Sequence, residues 1–361
     1  MQRQAVLRRA LGLGMTFLLF LMAGCLGDPS LTPASPKPKP TTVVEEFVGN
    51  TACTECHPDI AKSHAQSYHA LTLNTLTAHE LGTRVPPKGD IPNTEFVLSE
   101  QAKGFQVAIP SQTEATAALD LAVGSGKTGV TYVAFLEDGQ MAEFRMSYFP
   151  LKKRWYVTPG QEKLAAGSLG KVHPISNAQK CMLCHAVTVP EAGGKPEKRF
   201  FGVGCESCHG AGGAHVRAAR TGDEKSGRME ALGKLPASQL NVRCGKCHGT
   251  REDVAVAHLP KDVSNRMQTY GLMESKCFQK SSDKLSCLTC HSPHENAKTQ
   301  PVFYERACLK CHSPQTPLQK PCPVNPKEKC IGCHMPARKA LAGSEIPMTM
   351  ADHKIHIPEK D

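Results

Sequence analysis

The chain has 361 residues, 40% hydrophobic and 21% charged, a balance that excludes wholesale disorder and leaves room for two or three domains. Aromatic residues make up only 5%, with one Trp, against 30 Gly and 27 Pro, so large side chains alone would give a thin core. The formal charge of +10 comes without a run of five or six basic residues, which speaks against nucleic acid as a partner, while 17 Cys exceed what a reduced cytosolic protein carries without metal or redox chemistry.

Residues 1–24 read as a secretory signal: Arg3, Arg8 and Arg9 precede an apolar run from Leu11 to Ala23 that is too short to span a bilayer comfortably. The string LMAGC puts Cys25 at the first mature position and resembles a bacterial lipobox, which implies acylation of that thiol. A plain secretory signal with an incidental Cys would lead to the same export. Residues 25–46 form a linker in which Pro29, Pro33, Pro36, Pro38 and Pro40 alternate with Ser, Thr and Lys, a composition that stays extended at ~3.1 Å per residue. The protein is thus expected outside the cytoplasm as a membrane-anchored lipoprotein facing the periplasm or the cell surface.

A first functional segment, residues 47–82, holds CTECH at Cys53 to His57, followed by a helix opening at Pro58 and running through IAKSHAQSYHALTL. On one helix, His64 and His69 would point about 140° apart, so the two could not serve one metal. Residues 83–172 read as a small β-rich insertion: EFVLS, FQVAI, GVTYVAFL, MAEFRMSYF and WYVT alternate or run β-branched and aromatic, with a hairpin turn at Glu137 to Gln140. Within it, GSGKTG lacks the glycine spacing of a phosphate loop, since Leu121 occupies the required place.

Residues 173–361 carry six more motifs of the same form. They are CMLCH (Cys181, Cys184, His185), CESCH (Cys205, Cys208, His209), CGKCH (Cys244, Cys247, His248), CLTCH (Cys287, Cys290, His291), CLKCH (Cys308, Cys311, His312) and CIGCH (Cys330, Cys333, His334). Every CxxC in the chain is followed by His, seven times in all, counting Cys53, Cys56 and His57. The chemistry explains the order of residues: two thiols two residues apart form thioethers with the vinyl groups of a haem, and the adjacent imidazole becomes the proximal iron ligand. Zinc ribbons need paired CxxC units on one ion but no His after each. Seven covalently bound haem c groups would supply the apolar interior that the side chains lack.

Nine His lie outside the motifs, against seven distal iron positions. The candidate distal ligands are His69, His173, His215, His258, His294, His353 and His356; His294 and His215 stand three and six residues beyond a motif His, each tied by short chain to one haem and placed to reach another. Fourteen cysteines go to haem and Cys25 to lipid, leaving Cys277 and Cys322 as a candidate disulfide in an oxidising compartment, with two buried thiols as the other reading.

The strings VGNTACTECH followed by SYHA, GVGCESCHGAGGAHV, SKCFQKS running into LSCLTCHSPH, and CPVNPKEKCIGCHMP followed by ADHKIHIP resemble the multihaem c-type cytochromes of the cytochrome c-554 and hydroxylamine oxidoreductase lineage. The resemblance implies a mainly α fold with much irregular structure, a compact haem array with closely stacked pairs, and distal roles for His69, His215, His294 and His353. The chain departs from it in having seven motifs rather than four or eight, no lysine-ligated motif, and no counterpart of the tyrosine cross-link.

The expectation is a heptahaem cytochrome that relays electrons between respiratory donors and acceptors, an electron-transfer protein rather than an enzyme. Its partners would be the membrane, through the N-terminal lipid, and redox proteins such as other cytochromes, a quinol oxidoreductase or a terminal reductase. The alternative is an oxidoreductase in which one open haem acts on a small nitrogen or sulfur compound of the nitrite, hydroxylamine or tetrathionate type.

Overall fold

The structure, a computed structural model, describes residues 46–358 apart from 103, 113–114, 224–226, 257–265, 316–321, 326 and 341–344. The chain divides into two units, Met1–Val44 and Glu45–Asp361, and every described residue belongs to the second. The signal, Cys25, nearly all of the linker and His258 lie outside the described residues. Among the described residues no helix is long and apolar enough to cross a membrane.

Helix α1 (Asn50–Thr54) leads into the first motif, and α2 (Pro58–Ala65) begins with proline in its first turn, where the missing N–H costs no hydrogen bond. The helix stops at Ala65, well short of the expected run. Ser67 Oγ accepts the N–H of Ala70 and restarts the chain as a 3-10 turn over Ala70–Thr72. His69 therefore stands off the helix that carries His64, and the two are no longer fixed on opposite faces of one cylinder.

Strand β1 (Leu73–Thr75) follows directly, then the short helix α3 (Ala78–Leu81), whose first turn is closed by the Thr77 side chain accepting from the Glu80 N–H. The strands continue as β2 (Gly89–Asp90), β3 (Val97–Gln101), β4 (Gly104–Ala108), β5 (Thr116–Leu119), β6 (Leu121–Val123) and β7 (Thr131–Phe135). After the turn at Glu137 to Gln140 come β8 (Met141–Phe144), β9 (Met146–Phe149), β10 (Arg154–Val157) and β11 (Gly170–His173). They form a five-stranded antiparallel sheet in the order β1-β6-β7-β8-β11, a four-stranded sheet β2-β3-β4-β5, and the pair β10-β9. MAEFRMSYF, which reads as one strand, is two: the Arg145 N–H bonds to Leu169 O, its carbonyl accepts from Thr158, and the chain changes partner there.

The two faces of the five-stranded sheet bury different things, as a period of two requires. Ala122, Tyr132 and Phe144 point toward Leu98, Phe105, Val107 and Leu119 of the four-stranded sheet and complete the largest apolar cluster. Leu73, Leu121, Val133 and Met141 point the other way and meet Ala178, Met182 and Ala186. Those three residues belong to or follow α4 (Ile175–Met182), the helix that ends in the second motif. The sheet is thus the floor on which that motif rests.

The remaining helices are α5 (Cys205–His209), α6 (Gly213–Thr221), α7 (Ala237–His248), α8 (Arg251–Val256), α9 (Gln268–Glu274), α10 (Lys276–Gln279), α11 (Pro301–His312) and α12 (Cys330–His334), with β12 (Ala337–Lys339) pairing β13 (Thr349–Ala351). The architecture is mixed, helices with several small sheets, rather than mainly α. Strands reach outside the expected segment 83–172 in both directions: β1 pairs β6 and buries Leu73 against the cluster under α4, β11 pairs β8 as far as His173, and β12 pairs β13.

Candidate haem sites

In α7 and α11 the motif closes a longer helix, and in α4 it begins in the last turn; in α5 and α12 it makes a single turn of its own, Cys287–Thr289 is a 3-10 turn, and Cys53 lies in the last turn of α1. In each case the helical turn brings two thiols and the following imidazole to one side, as bonding to one macrocycle requires.

Four motif imidazoles face a second imidazole across a gap. Ring centroids are separated by 6.4 Å for His57 and His215, 6.3 Å for His209 and His294, 6.3 Å for His291 and His353, and 6.0 Å for His69 and His248. An iron bound to one nitrogen of each ring at ~2.0 Å, with each nitrogen ~1.1 Å from its ring centre, calls for about 6.2 Å. The residues fit the group. His215, His294, His353 and His69 each stand opposite a motif His from a distant part of the chain.

The other ring nitrogen is tied in the manner a ligating imidazole needs. Nδ1 of His185 lies 3.1 Å from Thr72 O, that of His334 2.7 Å from His356 O, and that of His353 2.9 Å from Ala351 O. His69 Nδ1 lies 3.3 Å from Pro293 O, and His248 Nδ1 3.3 Å from Gln268 Oε1. Each tie holds a proton on Nδ1 and leaves Nε2 for a metal. Burial shifts His185 and His353 below the usual imidazole range, which favours the neutral form that binds iron.

The other distal candidates are placed differently. His173 turns Nε2 toward Glu143 Oε2 at 3.1 Å, so its metal-binding nitrogen is already engaged. His356 bonds through Nδ1 to Lys354 O at 3.0 Å, while its own carbonyl supports the His334 ring. Among the described residues His185, His312 and His334 face no second imidazole ring. His64 is buried beside His69 and His294, and burial, followed by those two neighbours, lowers its pKa.

Cys277 and Cys322 are both half-buried. They are held beside different motifs: Cys277 in α10 lies near Cys311, and Cys322, whose Sγ accepts the Asn325 N–H at 3.4 Å, lies near Cys330.

Cysteines of different motifs are neighbours that act on one another electrostatically: Cys53 and Cys205, Cys184 and Cys247, Cys244 and Cys287, Cys308 and Cys330. Cys208 lies within electrostatic reach of Cys244, and Cys290 of Cys308. Burial, with Cys205 alongside, pushes the Cys53 thiol up to about 12, so it meets its neighbour as a neutral group. Numbered along the chain, the motifs connect 1-3-4-5-6-7, and motif 2 joins at motif 4.

Glu206, between the two cysteines of the third motif, is a structural anchor that the motif pattern alone does not single out. It is 3% exposed, and its carboxylate accepts from the N–H groups of Val48 at 3.0 Å, Gly49 at 2.8 Å and Gly212 at 2.7 Å, pinning the approach to motif 1 onto motif 3. A Cβ on Gly212 would come within 3.2 Å of Glu206 Oε1, so the bare backbone is what lets the loop close on the carboxylate. The signal that could have found it is an acidic residue inside CESCH, followed by GAGG with uncovered amides.

The family model for cytochrome c554 and c-prime matches residues 152–210, a stretch holding the second and third motifs. Among solved structures, the outer cell wall cytochrome OcwA matches with a TM-score of 0.53 at 15% identity, over 86% of this chain and 79% of that one. No curated protein matches. The matches agree with the motif chemistry and the paired imidazoles: the chain is similar over residues 152–210 to the cytochrome c554 and c-prime family and shares the fold of an outer cell wall cytochrome.

Proposed function

We propose that the protein carries seven haem c groups and relays electrons between respiratory partners outside the cytoplasmic membrane, held there as a lipoprotein through Cys25. The observation that carries this reading is the set of four imidazole pairs at 6.0–6.4 Å, since a six-coordinate iron exchanges electrons without binding substrate. When bound, haem c supplies one-electron ferric/ferrous chemistry. The protein's own residues orient and connect: cysteines would fix each group at two points, Nδ1 ties hold the imidazoles, and the neighbouring cysteines suggest the order 1-3-4-5-6-7 with motif 2 as a side branch. Donor and acceptor would be other cytochromes, a quinol oxidoreductase or a terminal reductase. The structural relative OcwA is a cytochrome of the outer cell wall, which supports an extracytoplasmic site here.

A second reading has its own observation, the absence of a second imidazole at His185, His312 and His334 among the described residues. An open position at one of them would suit an oxidoreductase acting on a small nitrogen or sulfur compound. Mass spectrometry of the mature protein tests the count, and the dithionite-reduced spectrum with and without carbon monoxide separates the two functions. Seven haems and no rapid spectral change support the relay. A change amounting to one haem or more favours the enzyme.

A further inference from the structure

One motif imidazole is held differently from the others. Of the Nδ1 ties described above, those of His69, His185, His334, His353 and His356 end on backbone carbonyls, whereas that of His248 ends on a side chain, Gln268 Oε1 at 3.3 Å. The orientation of this amide is fixed from its other end. Gln268 Nε2 lies 3.1 Å from Met350 Sδ, and a thioether sulfur can only accept, so the amide nitrogen faces the sulfur and its oxygen faces the ring. His248 is therefore the donor; its proton sits on Nδ1, and Nε2 is left for the side on which His69 stands.

Gln268 opens α9, a helix pinned beside motif 4. The Tyr270 N–H donates to the carbonyl of Gly249, the residue after His248, at 3.1 Å, and a Cβ on Gly245, inside the motif, would come within 3.3 Å of Thr269 Cγ2. Gly271 stands three residues after Gln268 and so on the same side of the helix. A Cβ there would come within 3.0 Å of the Lys354 backbone nitrogen and 3.2 Å of His353 Cβ, so the bare glycine is what lets the backbone at His353 lie against α9. Met350, in β13, precedes His353 by three residues. One face of α9 thus backs both His248, which faces His69, and His353, which faces His291.

We propose that Gln268 is a positioning residue that sets the reduction potential of the haem at motif 4 through His248, and that Gln268 and Gly271 make this face of α9 a support shared with the site of His291 and His353. The inference rests on the haem reading above. A backbone carbonyl offers an imidazole an acceptor of fixed strength, whereas a side-chain acceptor can be strengthened or removed by substitution. A stronger acceptor at Nδ1 makes Nε2 a better donor to iron and favours the ferric state, and a missing one does the reverse.

The test uses the full-length, haem-replete protein in spectroelectrochemical titrations. Gln268→Glu, near-isosteric and a stronger acceptor, is expected to lower the ferrous/ferric ratio of one haem at fixed potential about tenfold, which is 59 mV for a one-electron couple, and to shift the low-spin signal of that haem in electron paramagnetic resonance. Gln268→Leu, which removes the acceptor, is expected to raise the ratio of the same haem severalfold. Shifts of the same sign overturn the role of Gln268, as does a Gln268→Glu effect below about threefold or spread evenly over several haems, since a bare charge acts on every haem nearby. If Gln268→Leu fails to load haem, Gln268→Glu decides alone. Gly271→Ala is expected to alter the low-spin signal of a second haem, or to turn it high spin; an unchanged spectrum, or a change confined to the haem that Gln268→Glu moves, overturns the shared support. Haem count and carbon monoxide response of the unaltered protein report separately on the relay.

Discussion

Residues 73–173 and residues 174–358 solve the same problem, a buried interior, with different materials. The first region fills its interior with side chains: Leu98, Phe105, Val107, Leu121, Tyr132 and Phe144 are each at most 3% exposed, and two sheets close on them. The second is longer yet buries few large apolar residues, among them Phe200, Leu240, Leu272 and Ile346, while six of the seven motifs lie in it. A fully buried Leu or Phe contributes roughly 1.5–3 kcal/mol, and the first region collects many such contributions where the second collects few. Stabilisation by side-chain burial is therefore concentrated in the sheets.

The largest effect expected from this contrast comes from withholding haem attachment. Protein made without the maturation machinery should leave a protease-resistant core spanning the β-strands while residues beyond about 190 are cut rapidly, read by mass spectrometry of the fragments. Uniform digestion would erase the contrast. Next, Leu121→Ala, which opens a cavity between the sheet and α4, should cost about 2–5 kcal/mol in a denaturant melt. Met182→Ala should cost a similar amount and also disturb the second motif, which it floors. Glu206→Ala strands buried N–H groups of Val48, Gly49 and Gly212 and should cost about 3 kcal/mol, felt at motifs 1 and 3 together. His294→Ala should convert one haem in the mature protein to high spin with little loss of stability, because the chain around it is held by Ser63 and Asn296 contacts. The smallest effect is that of Ser67→Ala, about 1 kcal/mol, from the lost restart of the chain after α2.

How much of the molecule is legible in the sequence depends on whether the physics is local. The seven CxxCH turns are, because thioether and ligand sit within five residues. The strands over β3, β4, β7 and β10 are, because β-branched and aromatic alternation is a short-range signal. The end of α2 at Ala65 is not, since a serine hydroxyl competing for one N–H outweighs continuing apolar periodicity. The division of the β8–β9 run at Arg145 is not, because it depends on Leu169 and Thr158 arriving from elsewhere. His69, His215, His294 and His353 stand out in the sequence as candidate ligands, but the imidazoles they face do not: His57 and His215 meet across a long stretch of chain, a pairing fixed by tertiary packing alone. Where the two spare cysteines sit is not legible either, since counting leaves a remainder of two but not the motif beside each.

The short run from His69 to Thr75 behaves as a single mechanical part. His69 stands opposite His248, its carbonyl accepts from Val203 next to the third motif, Thr72 O receives His185 Nδ1, and Leu73 to Thr75 form the edge strand β1. The segment is a tie rod between a stiff plate and two candidate haem sites. Slack introduced anywhere along it, even at the sheet edge, reaches the imidazoles of His185 and His248 at once, so the second and fourth motifs respond together.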